Sequence, residues 1–198
     1  MSSNESSPSV VGKRNTELEN YVWEKSSSKF NYVAGYFSNS AIVAWLYYRA
    51  FHSPEPMSAL QLLIWTIVGY CLWTFLEYWL HRVAYHVGNT PFVVGHELHH
   101  EKPKALLGVP YYLTAALYIP LSWGLSTVLP MGPTSTALGA CWAGYIFYCA
   151  VHHSSHHWLL KNSLMKGLRG HHLQHHFHWD KNFGMVTSFW DKVFGTHL

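Results

Sequence analysis

One stretch decides the fold of this chain: SALQLLIWTIVGYCLWTFLEYWLHRVAYH, residues 58–86. Its apolar part, 58–80, contains a single charged side chain, Glu77. A bilayer core about 30 Å thick is crossed by about 20 apolar residues in a helix. The stretch therefore predicts a membrane-spanning helix that runs directly into two histidines, His81 and His86.

Three further apolar runs predict three more spans, at about 32–50, 105–128 and 134–151. Only 12% of all residues are charged, which also favours a membrane protein. A tight turn at Pro130-Met131-Gly132-Pro133 is expected to join the last two spans. We predict an all-α integral membrane fold with four transmembrane helices and a histidine-rich cap.

The membrane-embedded domain is predicted to cover 32–198, after an N-terminal cytoplasmic segment at 1–31. The Ser-rich opening at 1–9 is expected to be disordered. Without a basic start followed by an apolar run, this segment does not resemble a signal peptide.

The basic residues predict the orientation of the spans. With four spans, 12 of the 13 Lys and Arg lie on one side and only Arg49 lies opposite. If the first run does not cross, the split falls to 8 against 5. Because loops rich in Lys and Arg stay in the cytoplasm, the first arrangement is favoured. The predicted cytoplasmic cap then consists of 81–104 and 152–198.

Ten of the 16 histidines form four motifs, all on this predicted cap. The motifs are His81-x4-His86, His96-x2-His99-His100, His152-x3-His156 and His172-x2-His175-His176. Imidazole is the commonest metal ligand, and helical spacings of three or four point two rings the same way. Ten ligands suit two ions with four or five nitrogens each.

Two of these motifs raise questions of geometry. A spacing of five puts His81 and His86 about 140° apart on an ideal helix, so the helix must unwind or bulge to aim both inward. Glu77, one turn earlier, is predicted to accept the N–H of His81 and fix its tautomer; the alternative is a carboxylate that snorkels to the headgroups. His153 and His157 share the spacing of His152 and His156, so spacing alone leaves that register open.

The ligand chemistry favours iron. A closed structural zinc site needs only four ligands, and hydrolytic two-metal sites usually include carboxylates. A pair of irons at a membrane surface can instead reduce O2 and oxidise an unactivated C–H bond of a lipid. Purified protein is expected to take up zinc readily in place of iron.

Several stretches resemble the fatty acid hydroxylase/sterol desaturase superfamily. They are EYWLHRVAYH (77–86), HELHHEKP (96–103), GYIFYCAVHHSSHH (144–157), HLQHHF (172–177) and FGMVTSFWDKVFGT (183–196). The resemblance implies an integral membrane enzyme with a histidine-bound pair of metals and O2-dependent hydroxylation or desaturation. It also implies that His152 and His156, rather than His153 and His157, are ligands.

Within that superfamily the chain is most similar to the fatty acid 2-hydroxylases, and two departures concern the substrate entrance. Cys149 stands where that branch has Asp, and 104–110 differs from its Asp/Arg-containing stretch. The substrate is expected to be a fatty acyl or sphingolipid chain. Sterol C4-methyl oxidase, sterol desaturase and carotenoid hydroxylase remain alternatives, and a membrane metal carrier or sensor is the non-enzyme alternative.

The electrons are expected to come from a separate donor, such as a cytochrome b5 or a ferredoxin. The first histidine is His52, so a fused cytochrome b5 domain with two axial histidines does not fit before the first span. The cysteines fall within predicted spans, where disulfides are not expected. The four predicted spans make this a multi-pass membrane protein, which is expected in the endoplasmic reticulum membrane if the source is eukaryotic or in the inner membrane if it is bacterial. No nucleic-acid partner is expected.

Overall fold

A computed structural model describes residues 16–159 and 161–198, and these residues form helices without any strand. The predicted disorder at 1–9 lies outside this part of the chain. The α-helices are α1 Thr16–Ser26, α2 Lys29–Phe51, α3 Ala59–Trp79, α4 Pro91–Glu101, α5 Tyr111–Leu125, α6 Met131–His157, α7 Ser163–Phe177 and α8 Phe189–Val193. A π-helical turn, Leu80–Ala84, directly continues α3.

Helix α6 is the centre of the bundle and packs against α2, α3, α5 and α7. A buried cluster joins α2, α5 and α6 through Ile42, Leu46, Tyr118, Leu138 and Trp142. Each of these side chains is less than a tenth exposed. The apolar core therefore lies between the long helices.

The helices α3 and α6 approach each other closely at a glycine. A Cβ on Gly69 would stand 2.1 Å from the carbonyl oxygen of Ala137. The middle of α6 likewise leaves no room at Gly144, where a Cβ would lie 2.6 Å from the Trp73 ring. The absence of side chains at these two positions sets the spacing of the two helices.

Helix α3 begins as the sequence indicates. The Ser58 side chain accepts a hydrogen bond from the Gln61 backbone N–H, and the Gln61 side chain accepts one from the Ser58 backbone N–H. These two reciprocal hydrogen bonds form a capping box. Among the described residues, Ala59–Ala84 is the one helical segment long and apolar enough to cross a membrane. Its outer face exposes Leu60 and Ile67, as expected for a helix that contacts lipid.

The third predicted span is wrong at its beginning. Residues 105–110 are not helical, and α5 has 15 residues, which corresponds to about 22 Å. The non-helical segment is held by Asn31, whose side chain donates to the Gly108 carbonyl at 3.1 Å and accepts from the Tyr111 N–H at 3.0 Å. Because Asn31 is far from this segment in sequence, the residues around 105–110 do not themselves indicate that the segment is non-helical.

The predicted turn between α5 and α6 is also displaced. Helix α6 begins at Met131, so Gly132 and Pro133 lie in its first turn. Proline is tolerated there because the first backbone N–H groups of a helix have no acceptor within it. The connection consists of residues 126–130.

Helix α1 was not expected from the sequence, which assigned 1–31 only as an N-terminal segment. It packs on α4, where Val22 meets Val94 and Leu98 in a small buried cluster. Since α4 carries three of the predicted ligands, α1 covers the histidine-rich end of the bundle.

Candidate metal centre

The ten predicted ligands lie together at one end of the bundle. His81 is in the π-helical turn and His86 follows it, while α4, α6 and α7 supply the others. The structure separates eight of them into two groups of four, each with its ring nitrogens within 4.8 Å of one another. The first group is His81, His86, His96 and His175; the second is His99, His152, His156 and His172.

The remaining two, His100 and His176, lie where the groups meet. The Nε2 atom of His100 is 2.9 Å from that of His96, and the Nε2 atom of His176 is 3.1 Å from that of His172. Their rings stack on each other with centroids 4.2 Å apart. Each group thus has a fifth histidine beside it.

The π-helical turn explains how both histidines of the first motif face the centre. The Tyr85 N–H donates to the Leu80 carbonyl at 3.0 Å, five residues back instead of four. The rings of His81 and His86 consequently lie 5.4 Å apart. The predicted unwinding of this helix is confirmed.

Helix α6 directs His152 and His156 to the centre and turns the neighbouring pair away. The Nε2 atoms of His152 and His99 are 2.9 Å apart, and those of His156 and His172 are 2.8 Å apart. His153 and His157 stack on each other at 4.2 Å outside both groups. The geometry agrees with the register that the family resemblance implied.

The donor atoms of this cluster are suited to metal ions. Both groups consist only of histidines, and the Nε2 atoms of His86 and His175 are buried without a hydrogen-bond partner. Buried polar atoms are usually paired, so unpaired nitrogens that converge with others are expected of ligands. Each group can hold one ion.

Burial also keeps the imidazoles in the form that binds metal. It lowers the pKa of His86 to about 4 and, together with neighbouring histidines, that of His100 to about 2. Burial lowers the pKa of His175 to about 3 although a backbone hydrogen bond acts in the opposite direction. Neutral rings leave a nitrogen lone pair free for a cation.

The predicted hydrogen bond between Glu77 and His81 is wrong. The Nδ1–H of His81 donates to the Phe183 carbonyl at 2.6 Å. The Glu77 carboxylate is buried and accepts instead from the backbone N–H groups of Met185 and Val186. Both expectations for Glu77 fail, since the carboxylate neither binds His81 nor reaches the headgroups, because the returning C-terminal chain covers it.

Sequence reasoning also missed Asp191, although it lies in the quoted stretch 183–196. Its buried carboxylate accepts from His171 Nε2 at 3.0 Å and from Thr196 Oγ1 at 2.8 Å. Burial alone would raise the pKa of Asp191, but hydrogen bonds led by that from His171 lower it below its ordinary value. A lone acidic residue among aromatic ones was the available signal.

A cavity of about 510 Å³ adjoins the histidine cluster. Its walls come from α1, α2, α4, α6 and segment 107–110, and include His96, His99 and His152. Apolar side chains such as Val22, Leu107 and Ile146 line it together with several tyrosines. A long apolar molecule in this cavity would lie against the histidines.

The fold and the site define an all-helical protein with an apolar spanning helix that leads into a cluster of histidines suited to two metal ions. The family model described as fatty acid hydroxylase matches residues 66–196. The chain therefore belongs to the fatty acid hydroxylase family.

Several curated relatives are similar over much of the chain. The dihydroceramide fatty acyl 2-hydroxylase FAH2 of Arabidopsis thaliana is 40% identical over 65% of this chain and 58% of its own length. The ceramide very long chain fatty acid hydroxylase SCS7 of Saccharomyces cerevisiae is 31% identical over 79% of this chain and 44% of its own. The chain thus spans about half of the length of these relatives.

A solved structure agrees with this assignment. It is that of full-length scs7p with only the hydroxylase domain visible, and it matches 83% of this chain and 66% of its own with a TM-score of 0.68. The sequence identity is 28%. The shared fold extends beyond residues 66–196.

Proposed function

We propose that this chain is an O2-dependent di-iron hydroxylase that inserts one oxygen atom into a C–H bond of a fatty acyl or sphingolipid chain. One observation carries the proposal: an apolar-lined cavity opens onto His96, His99 and His152 of the ten-histidine cluster. Relatives that are 31–40% identical carry fatty acyl hydroxylase names, which supports the same reaction class.

Two irons would be held by the ten histidines in the two groups described, with His100 and His176 as fifth ligands. When bound, iron supplies the chemistry that reduces O2, so that one oxygen atom enters the C–H bond and the other leaves as water with two electrons and two protons. The chain supplies neutral nitrogen ligands in fixed positions. It also excludes bulk water from one side of the cluster by covering it with α1 and segment 107–110.

The cavity residues would align the substrate. Val22, Leu107 and Leu113 provide apolar contacts for a hydrocarbon chain. Tyr85 and Tyr148 also line the cavity, and their rings stack on those of His96 and His152 with centroids 5.4 and 5.8 Å apart; their hydroxyls would contact the polar end of the lipid. Such an arrangement would present a carbon close to the polar end, rather than the chain terminus, to the metals.

The setting of this site is also part of the proposal. Four spans, formed by α2, α3, α5 and α6, would place the histidine cap on the cytoplasmic face of the endoplasmic reticulum or of a bacterial inner membrane. A separate donor, such as a cytochrome b5 or a ferredoxin, would deliver the electrons to the cap. The basic residues of the cap would favour an acidic donor.

The test is a reconstituted reaction. Iron-loaded protein in lipid vesicles receives O2, a reductase and cytochrome b5 or ferredoxin, with acyl, ceramide, sterol and carotenoid lipids offered in parallel. Mass spectrometry should find a hydroxylated acyl or ceramide product in wild type and in His178→Ala, an exposed histidine outside the cluster. The product should be lost in His172→Ala. Protein loaded with two irons that oxidises none of these lipids would favour the carrier or sensor instead.

A further inference from the structure

One short segment of backbone, 181–186, orients half of the first histidine group. The Nδ1–H of His81 donates to the Phe183 carbonyl at 2.6 Å, and that of His175 donates to the Lys181 carbonyl at 2.7 Å. Because Nδ1 carries the proton in both rings, Nε2 is left with its lone pair toward the other members of the group. The segment therefore sets the tautomer and the direction of two ligands.

Two buried carboxylates hold this segment in place. Asp191 accepts from the N–H groups of Phe183 and Gly184, both at 2.8 Å. Glu77 accepts from the next two N–H groups, those of Met185 and Val186. Four consecutive backbone donors are thus bound by carboxylates from α8 and α3. Both carboxylates are at most 2% exposed, so water does not compete for these hydrogen bonds.

The second histidine group has no such support. Among residues 16–159 and 161–198, no acceptor binds the Nδ1 atoms of its members, which meet other histidines through Nε2 (His99, His152, His156 and His172). Two of these members, His99 and His152, also form part of the cavity wall, to which the first group contributes only His96. Their orientation therefore depends on packing and on the Nε2 contacts among the histidines themselves.

We propose that the two metal sites are unequal: the site of His81, His86, His96 and His175 retains its ion, whereas the site of His99, His152, His156 and His172 exchanges its ion readily. Glu77 and Asp191 act as positioning residues for the first site only, through segment 181–186. Loss of the hydrogen-bonded partners that orient metal ligands typically costs about ten- to a hundredfold in metal affinity. This inference rests on the proposed two-metal centre, but it is independent of the lipid reaction.

The experiment measures metal release. Purified full-length protein is loaded with two equivalents of Zn²⁺ and challenged with excess EDTA while a zinc dye follows the free ion. Wild type should release one equivalent quickly and one slowly. Glu77→Ala should accelerate the slow phase by about ten- to a hundredfold. Glu77→Gln should restore it, because the amide oxygen still accepts from Met185 and Val186.

A matched control separates positioning from general destabilisation. Thr136 is fully buried in α6 and loses one hydrogen bond in Thr136→Ala, far from segment 181–186. This variant should keep the wild-type slow phase. Equal acceleration of both phases in Glu77→Ala, or acceleration in Thr136→Ala, would contradict the proposal.

Single-ligand variants test the same idea if Glu77→Ala does not fold. His156→Ala should retain one slowly released ion, and His175→Ala one rapidly released ion; the reverse assignment would overturn the inference. Two ions that leave wild type at a single rate would contradict this inference alone. A wild-type stoichiometry near one would contradict the proposed two-metal centre as well. Unequal release without lipid oxidation would support the inference and contradict only the hydroxylase.

Discussion

The hydroxyl of Tyr32 in α2 lies 2.9 Å from Nδ1 of His153 in α6, so this histidine is engaged outside the metal centre. Its ring also stacks on His157. The turn of α6 that aims His152 and His156 at the cluster therefore turns His153 toward α2 and leaves His157 beside it, outside the cluster. Two histidine pairs with identical spacing receive different environments from the rotation of a single helix.

This relationship predicts the effect of removing either pair. The double variant His153→Ala/His157→Ala should retain close to two metal equivalents, because neither ring belongs to the two groups. The double variant His152→Ala/His156→Ala should lose about one equivalent, since two of the four ligands of the second group are gone. Elemental analysis of purified protein measures both. A loss of metal from the first double variant would assign the ligands to the other register.

A second prediction concerns the contact between α3 and α6. In Gly69→Ala the new methyl group would overlap the carbonyl group of Ala137, so the helices must separate. Overpacking of this kind costs about 1–3 kcal/mol, which should lower the melting temperature of the detergent-solubilised protein.

The matched control for this variant is Gly124→Ala in α5, where a Cβ would meet nothing within 4 Å. It should keep or slightly raise the melting temperature, because alanine is the better helix former. Equal melting temperatures for the two variants would show that the close approach at Gly69 does not limit stability.

Local patterns in the sequence account for much of this architecture. The apolar stretch before His81 predicted α3, and the spacing of five to His86 predicted the break in its helical geometry. The runs at 32–50 and 134–151 lie within α2 and α6. These features depend on neighbouring residues, so their signals are contained in short windows of sequence.

The features that were missed depend on distant contacts. The acceptors for His81 and His175 are backbone carbonyls, which any residue at positions 183 and 181 would provide. Glu77 meets its partners more than 100 residues later in the chain. Helix α1 has a small apolar face whose partner, α4, lies about 70 residues away in sequence. Residue identity carries little information about such pairings.

A third prediction tests the cavity. Ile146 lines it, so Ile146→Trp should fill part of the space and reduce lipid oxidation strongly while the metal content stays at the wild-type level. The neighbouring Phe147 is 44% exposed and is absent from the cavity wall, so Phe147→Trp should leave the reaction unchanged. Product formation and metal content are measured together for both. Full activity in Ile146→Trp would show that the substrate reaches the metals by another route.

The last prediction is that both ends of the chain lie on the membrane face that carries the metal centre. Helix α1 packs on α4, and the N–H of Leu198 donates to the Asn182 side chain at 2.9 Å, beside the segment that holds His175. Between these ends, the beginning of α2 lies near the metal centre, because Tyr32 contacts His153. The end of α2 lies near Gly132, at the opposite end of α6. Helix α2 therefore leads away from the metal centre and α3 returns to it, so α2 should cross the bilayer if α3 does.

Epitope tags at the two ends measure this arrangement. With the protein in the inner membrane of bacterial spheroplasts, both tags should be protected from added protease, and both should be cleaved once the membrane is opened. A cysteine introduced at Glu55, in the exposed connection between α2 and α3, serves as the opposite control. It should react with an impermeant maleimide from outside when the membrane is intact. A reactive cysteine at this position together with an accessible N-terminal tag would show that α2 does not cross.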